Sequence, residues 1–406
     1  MHRYPWRPKR RSTIAMTLLC SAAVALTGCS SSSSNSDTSP SSNSVTSGSA
    51  GTPGSSTTTS SAADAGQVAA DVARLSKPVT SYTVPSDAID VKPLRGRTIY
   101  YIPIIQQAPT FEAISEAMDK ALDAAGLKLQ ICDGKANPSS ISGCINQAVG
   151  ARAAGIVLDS IPYGFAANAL AAAQAKGVPV LVADQLLDPA HPASATLGYL
   201  PGHAQQMVET IAKWIIVESR GKAVVVINEV TDNPSSVTYV EKAQSVFHSA
   251  CPGCTVKINK ISSANFQLIA PSTSSAILKT PGVNYVISEY DNFLQPTGGG
   301  VQQAGKAASV KIVSTSATLS SIQAMAKGQG PTADVGQSSP FQGWANADAI
   351  LRLALKEPVP TYDIPYRLFT ADNIHSIKAT SAAEASGEWF GPTTFPAQFK
   401  AIWKSS

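Results

Sequence analysis

Cys251 and Cys254 stand in Cys-Pro-Gly-Cys, the spacing of a dithiol redox centre. Redox chemistry of that kind needs one thiol at a helix N-terminus, where the dipole lowers its pKa. Here the motif follows a helix-like stretch and precedes a strand-like one, so it reads as a structural disulfide or a tight turn. Zinc would need a second Cys/His pair at ligand spacing beside His248, and none accompanies it. The five histidines, His2, His191, His203, His248 and His375, are scattered, and no metal site is expected. Thr297-Gly298-Gly299-Gly300-Val301 lacks the Lys-Ser/Thr of a phosphate loop. No Gly-x-Ser-x-Gly or Gly-x-Gly-x-x-Gly occupies a strand–turn–helix context. With no nucleophile–base set, the chain reads as a non-enzyme without a cofactor.

The chemistry that remains is hydrogen bonding and stacking, and it is concentrated in eight short stretches. These are residues 106–111 (QQAPTF), 133–138 (DGKANP), 159–164 (DSIPYG), 183–186 (ADQL), 228–236 (NEVTDNPSS), 262–266 (SSANF), 289–293 (EYDNF) and 314–318 (STSAT). Each follows a strand-like run. In the first unit, TIYYIPII is β-branched and aromatic, and Phe111, Ile114, Met118 and Leu122 then recur at helical spacing until Gly126 closes the helix. The alternation continues through LKLQICD, GIVLD and VPVLVAD, then restarts with KAVVVIN, TVKINKIS, VNYVISEY and VKIVSTS. Strands alternating with helices imply an α/β fold of two Rossmann-like lobes with parallel sheets, each covered on both faces. Ligands of such sheets bind beyond the carboxyl ends of strands, where loops and helix N-termini converge. That rule is what nominates the eight stretches.

The N-terminus has a different composition. Arg3, Arg7, Lys9, Arg10 and Arg11 precede an apolar run from Ile14 to Ala25, and Leu26-Thr27-Gly28 leads into Cys29. The order is that of a secretory signal, and the run is short of the ~20 residues a spanning helix needs. Leu-Thr-Gly-Cys resembles a bacterial lipobox, so residues 1–28 read as a lipoprotein signal peptide and Cys29 as the acylated mature N-terminus. Each acyl CH₂ buried in lipid contributes roughly 0.8 kcal/mol. Residues 29–63, dominated by Ser and Thr, read as a disordered tether, and 64–96 as an extension with one short helix. The formal charge of +4 falls to −1 once the five cations of residues 1–28 are removed, so no nucleic-acid partner is implied. Cys132, Cys144, Cys251 and Cys254 then remain for an oxidising compartment. Three pairings are open; the local ones, 132 with 144 and 251 with 254, are expected.

The order of segments over residues 97–371 resembles the type I periplasmic solute-binding proteins, the ribose- and galactose-binding group that feeds ABC importers. The local matches are APTFEAISEAMDKALDAAG, INQAVGARAAGIVLD, AAAQAKGVPVLVAD and ADVGQSSPFQGWANADAIL. The resemblance implies two lobes joined by three crossover strands and a hinge. It places 97–199 and 319–356 in lobe one, 200–318 and 357–371 in lobe two, and leaves 372–406 as a tail. Trp389, Phe390, Phe395, Phe399 and Trp403 suggest that this tail packs back on a lobe.

By the same resemblance Phe111 and Phe266 fit stacking rings, Asp184 the carboxylate that accepts sugar hydroxyls, and Gln337 a hinge glutamine. The family Arg after that Asp is Gln185 here, the Asn–Asp pair reads Tyr290-Asp291, and a further Asp reads Ser316. Asp291 equally fits a helix N-cap, Asp184 a turn cap, and Phe111 a staple to the core. Gln107, Asn137, Ser160 and Tyr163 complete the candidate ligand set. Charge-assisted hydrogen bonds to a buried ligand are worth ~1.5–3 kcal/mol each, so the missing charges change what binds. Phe111, Tyr163, Tyr290 and Phe266 with few charges suit a less polar or aromatic-containing ligand, or a sugar turned differently. The resemblance implies a solute receptor that hands a small molecule to an ABC permease from the outer membrane face. A sensor docking on a membrane signalling protein would share the fold, and an exported enzyme is the weaker alternative.

Overall fold

The computed structural model describes residues 57–404; the signal segment, Cys29 and most of the Ser/Thr-rich stretch lie outside them. The first element, α1 (Thr57–Leu75), begins inside the stretch read as tether. After the short strand β1 (Ile89–Asp90) comes the first lobe. Its strands are β2 (Thr98–Pro103), β3 (Lys128–Ile131), β4 (Gly155–Asp159), β5 (Val180–Ala183) and β6 (Leu197–Leu200). They lie in the order β3-β2-β4-β5-β6, all parallel. Helix α2 (Pro109–Ala124) carries Pro109 in its first turn and buries Phe111, Ile114, Met118 and Leu122 on one face. Gly126 follows at φ +79°, the left-handed conformation that ends a helix without a Cβ penalty. Helices α3 (Pro138–Gly150) and α4 (Ala167–Ala175) cover the opposite face.

The second lobe repeats the scheme. Helix α5 (Ala204–Glu218) is followed by β7 (Val224–Val230), α6 (Pro234–Ala250), β8 (Thr255–Ile261), α7 (Ile269–Leu278), β9 (Tyr285–Ser288), α8 (Leu294–Gln303) and β10 (Lys311–Thr315). Then come α9 (Leu319–Ala326), β11 (Ala333–Gln337), α10 (Ser339–Ala354) and β12 (Tyr366–Thr370). The sheet order is β12-β11-β10-β9-β7-β8, parallel except for β12 against β11. Both sheets therefore reverse winding direction at their second strand, and loops diverge there to leave room for a ligand. Each sheet is packed on both faces, which is why central strands such as β4, β5 and β9 are near-continuous apolar runs.

Three passages join the lobes: Pro201–His203 between β6 and α5, Ser338 between β11 and α10, and residues 355–365 between α10 and β12. The lobe assignment needs one correction. β11 is hydrogen-bonded between β10 and β12, and α9 shares a core with Phe369 of β12. Residues 319–337 thus belong with the second sheet, and the chain returns to the first lobe at Ser338, where α10 packs on α2 and β4–β6.

The two ends of the described chain add two more passages. Helix α1 packs on α5 in the second lobe, whereas Tyr82, Ile89 and Leu94 lie in the core of the first. Likewise α11 (Ser381–Ser386), Trp389 and Phe390 join the second lobe, while α12 (Phe395–Ile402) and β13 (Trp403–Lys404) join the first. The tail thus packs on both lobes. Arg367 of β12 ties these ends together: Nε donates to Ser76 O (3.1 Å) and Nη1 to Trp389 O (2.7 Å). Strand β1 pairs with β13. Disulfides join Cys132 to Cys144 and Cys251 to Cys254, the local pairs.

Candidate functional site

Between the lobes, where the strand ends of both sheets face each other, lies a cavity of about 330 Å³. All eight nominated stretches contribute to its wall. A larger groove of about 860 Å³ runs along the outer side of the passages, between Leu200–His203 and Lys356–Tyr362. It contains one nominated residue, Leu186, so the convergent loops mark the smaller cavity as the candidate site.

Asp184 follows β5 with φ 52°, and Ser160 follows β4 with φ 55°. Non-glycine residues in that region are strained, and here the strain turns both side chains toward the cavity. Gln337, at the end of β11, donates from Nε2 to Asp184 Oδ1 (2.9 Å) and accepts from His203 N through Oε1 (2.7 Å). It therefore joins the cavity to two of the passages. Gly202 makes this possible: a Cβ there would lie 1.9 Å from Asp184 Oδ1 and 2.9 Å from the Gln337 amide. Burial pushes the Asp184 carboxyl above its ordinary range, and the Gln337 hydrogen bond opposes that shift. Gln185 Oε1 accepts from Ser235 Oγ of α6 (2.8 Å), a contact across the lobes.

On the opposite wall Tyr290 and Ser236 share a hydroxyl hydrogen bond of 2.8 Å. Behind them Glu289 is fully buried; Oε2 accepts from Val230 N (2.8 Å), and burial raises its pKa to about 7 against that hydrogen bond. Ser316 reaches the cavity at φ 110° because Asp334 holds Ala317 N (3.0 Å) and Asp291 holds Thr318 N (2.9 Å). Gly336 on the neighbouring strand leaves room for that loop; a Cβ would meet Ala317 at 2.5 Å. Asp232 also lines the cavity, but four hydrogen bonds from Ser262, Ser263 and Ala264 occupy its carboxylate. Burial raises Asp232, yet those bonds prevail and leave it below the usual range.

The cavity wall thus includes seven of the twelve sequence-derived ligand candidates: Phe111, Ser160, Asp184, Gln185, Tyr290, Ser316 and Gln337. Five others are held elsewhere. Gln107 donates to Asp133 Oδ2 (3.0 Å) at the surface. Asn137 caps α3, accepting from Ser139 N (2.9 Å) and Ser140 N (3.1 Å). Tyr163 stacks on His191 with centroids 4.0 Å apart, and its hydroxyl accepts from Gln174. Phe266 is 42% exposed on a turn that Asp232 ties down, outside the lining, with its ring centroid 6.2 Å from that of Phe293. Asp291 caps no helix; both Thr318 donors occupy its Oδ2. The rings actually lining the cavity beside Phe111 and Tyr290 are Phe165 and Phe293. Phe293 lies in a nominated stretch and Phe165 immediately after one, so their segments were visible although their orientations were not.

No Lys, Arg or His lies among the described residues that line the cavity. Polar groups gather around Asp184, Gln337, Ser160, Tyr290 and Ser236, while Ile104, Ile105, Met207 and the rings supply apolar surface. Such a lining offers hydrogen-bonding groups on one side and apolar surface on the other.

Two doubly wound lobes that meet at their strand ends over one cavity define a type I periplasmic binding protein. Residues 99–358 match the periplasmic binding protein domain family, and the chain belongs to that family. A 5-methylthioribose transporter solute-binding protein from Thermotoga lettingae TMO shares the fold at 19% identity and TM-score 0.63, over 79% of this chain and 99% of that one. A Mycobacterium smegmatis protein in complex with β-D-fucofuranose gives 16% and 0.61, over 73% and 98%. An ABC transporter solute-binding protein from Bacillus halodurans C-125 with bound myo-inositol gives 14% and 0.60, over 69% and 97%. The chain matches no curated protein sequence.

Proposed function

We propose that this chain is the lipid-anchored receptor of an ABC importer. Acylated Cys29 holds it on the outer face of the membrane, and the Ser/Thr-rich stretch carries the two lobes away from the lipid. The lobes capture a neutral polyhydroxylated solute that bears an apolar group, and the permease receives it unchanged. The observation that carries this reading is the cavity itself, built jointly by both lobes, without a cation, and with Asp184, Gln337 and Tyr290 beside Phe111, Phe165 and Phe293. In this reading Asp184 accepts solute hydroxyls and Phe111 covers an apolar ring face, with Ser160, Gln185, Tyr290, Ser316 and Gln337 completing the polar contacts. A solute that touches both walls favours the closed lobes only by the difference in affinity between closed and open forms. The solutes seen in the structural neighbours, 5-methylthioribose, β-D-fucofuranose and myo-inositol, are neutral and hydroxylated, which supports the same class.

The test is a thermal-shift series with 5-methylthioribose, D-fucose, myo-inositol and D-ribose, set against ribose 5-phosphate and glucosamine. A neutral member, with 5-methylthioribose foremost, should raise Tm, and Asp184→Ala should abolish the shift. Stabilisation by the charged compounds alone would overturn the reading. For the anchor, Cys29→Ala should move the protein from the membrane fraction to the soluble one.

A further inference from the structure

Asp159 ends β4 and is fully buried, and it does not line the cavity. Tyr101 of β2 donates to its Oδ2 (2.8 Å), while Oδ1 finds no donor in the described protein. In the parallel register Asp159 pairs with Ala183, which places it beside Asp184. The two buried carboxyl groups act on each other, the Asp184 charge disfavouring ionisation of Asp159. Ionised carboxylates only accept hydrogen bonds, so this pair is repulsive unless one of them carries a proton. Of the other oxygens, Asp184 Oδ1 accepts from Gln337.

We propose that Asp159 is a positioning residue of the binding site: it shares one proton with Asp184 and, by donating it, keeps Asp184 an acceptor turned toward the solute. The proposal rests on the solute-binding reading for its consequence, but the proton itself is a property of the unliganded protein. Burial and the neighbouring Asp184 charge both favour the protonated form of Asp159. The other titratable groups facing the pair are Tyr101 from β2, His203 from the first passage and Tyr239 from α6. Gln337 approaches from β11 without charge. Loss of the proton leaves two adjacent anions, so solute affinity should fall as pH rises, with Asp184 swung away from its partner.

Two measurements decide it. Infrared spectra at pH 7 should show a carboxylic-acid C=O band in the wild type that is missing from Asp159→Asn, where an amide supplies the donor. Coincident spectra overturn the proposal. Titration with 5-methylthioribose between pH 6 and 9 should show affinity falling with pH in the wild type. Asp159→Ala should lose about tenfold or more. Asp159→Asn should recover most of that loss and flatten the pH profile. Equal losses in both variants would assign Asp159 a merely structural role and overturn the proposal. If the alanine variant fails to fold, the asparagine variant and its pH profile still decide. Failure of 5-methylthioribose to bind the wild type counts against the proposed solute, and the infrared comparison then decides the shared proton alone.

Discussion

The two walls of the cavity are built by the same winding of strands and helices, yet they present opposite chemistry. On the first-lobe wall a carboxyl group, Asp184, stands in the cavity with a second acid directly behind it. On the second-lobe wall hydrogen bonds occupy the Asp232 carboxylate, the groups left to face a solute include the neutral hydroxyls of Tyr290 and Ser236, and the acid behind them, Glu289, accepts from the Val230 amide. One wall is therefore an acceptor and the other both donates and accepts. Strand order sets where a solute sits, but the residue one position past each strand end sets what that solute must offer. The walls also differ in their coupling to the passages. Gln337 links Asp184 to His203 N, so the acceptor wall is tied to the hinge, whereas the Tyr290–Ser236 pair lies wholly within the second lobe.

The comparison can be broken most severely at Gly202. Gly202→Ala places a methyl group at a clash distance from Asp184 Oδ1, and overpacking of this kind costs about 3 kcal/mol. Denaturant unfolding should register the loss, and solute binding should fail with it because both the acceptor and the hinge shift.

Glu289→Gln addresses the opposite wall. The folded protein raises this carboxyl from 4.5 to about 7, so the folded state binds the proton more tightly than the unfolded chain. Its contribution to stability is full below pH ~4.5 and falls as pH rises through about 7. Across that window the wild type should lose on the order of 2–3 kcal/mol relative to the variant, at roughly 1.4 kcal/mol per pKa unit. Chemical denaturation at several pH values measures the difference, and parallel curves would show that Glu289 does not titrate as its burial demands. The smallest expected effect is that of Tyr290→Phe, which removes one hydroxyl and leaves Ser236 without its partner. About 1 kcal/mol of stability should go, with a modest drop in solute affinity read by calorimetry.

Much of the architecture was legible along the chain because it rests on local regularities. Apolar runs of strand length followed by amphipathic helices marked both lobes, and the polar segments after each strand marked the cavity wall. The cysteine pairs lay close enough in sequence to be matched. Orientation was less accessible. Asn137 and Asp291 lie in nominated stretches, but local backbone donors consume the Asn137 side chain, as is common for Asx residues, and the distant Thr318 occupies Asp291. Tyr163 turned to His191, and Phe293 took the place expected of Phe266. The lobe membership of β11 followed the resemblance, and the structure differs because five residues, Ala333–Gln337, carry no record of which neighbours they will pair with.

The amino-acid sequence alone determined the α/β alternation, the strand ends where a ligand can be held, and the scarcity of positive charge in those segments, where Lys135 is the one cation, because each depends on residues near one another. Tertiary structure decided which side chain of each loop faces the cavity and how the lobes are joined. Gln337 reaches Asp184 across 153 positions, and Arg367 reaches Ser76 across 291. The carboxyl pair at Asp159 and Asp184 likewise exists only because parallel pairing of β4 and β5 sets the two residues side by side. Contacts of that range follow from packing and burial in the folded chain, and no periodicity along it encodes them.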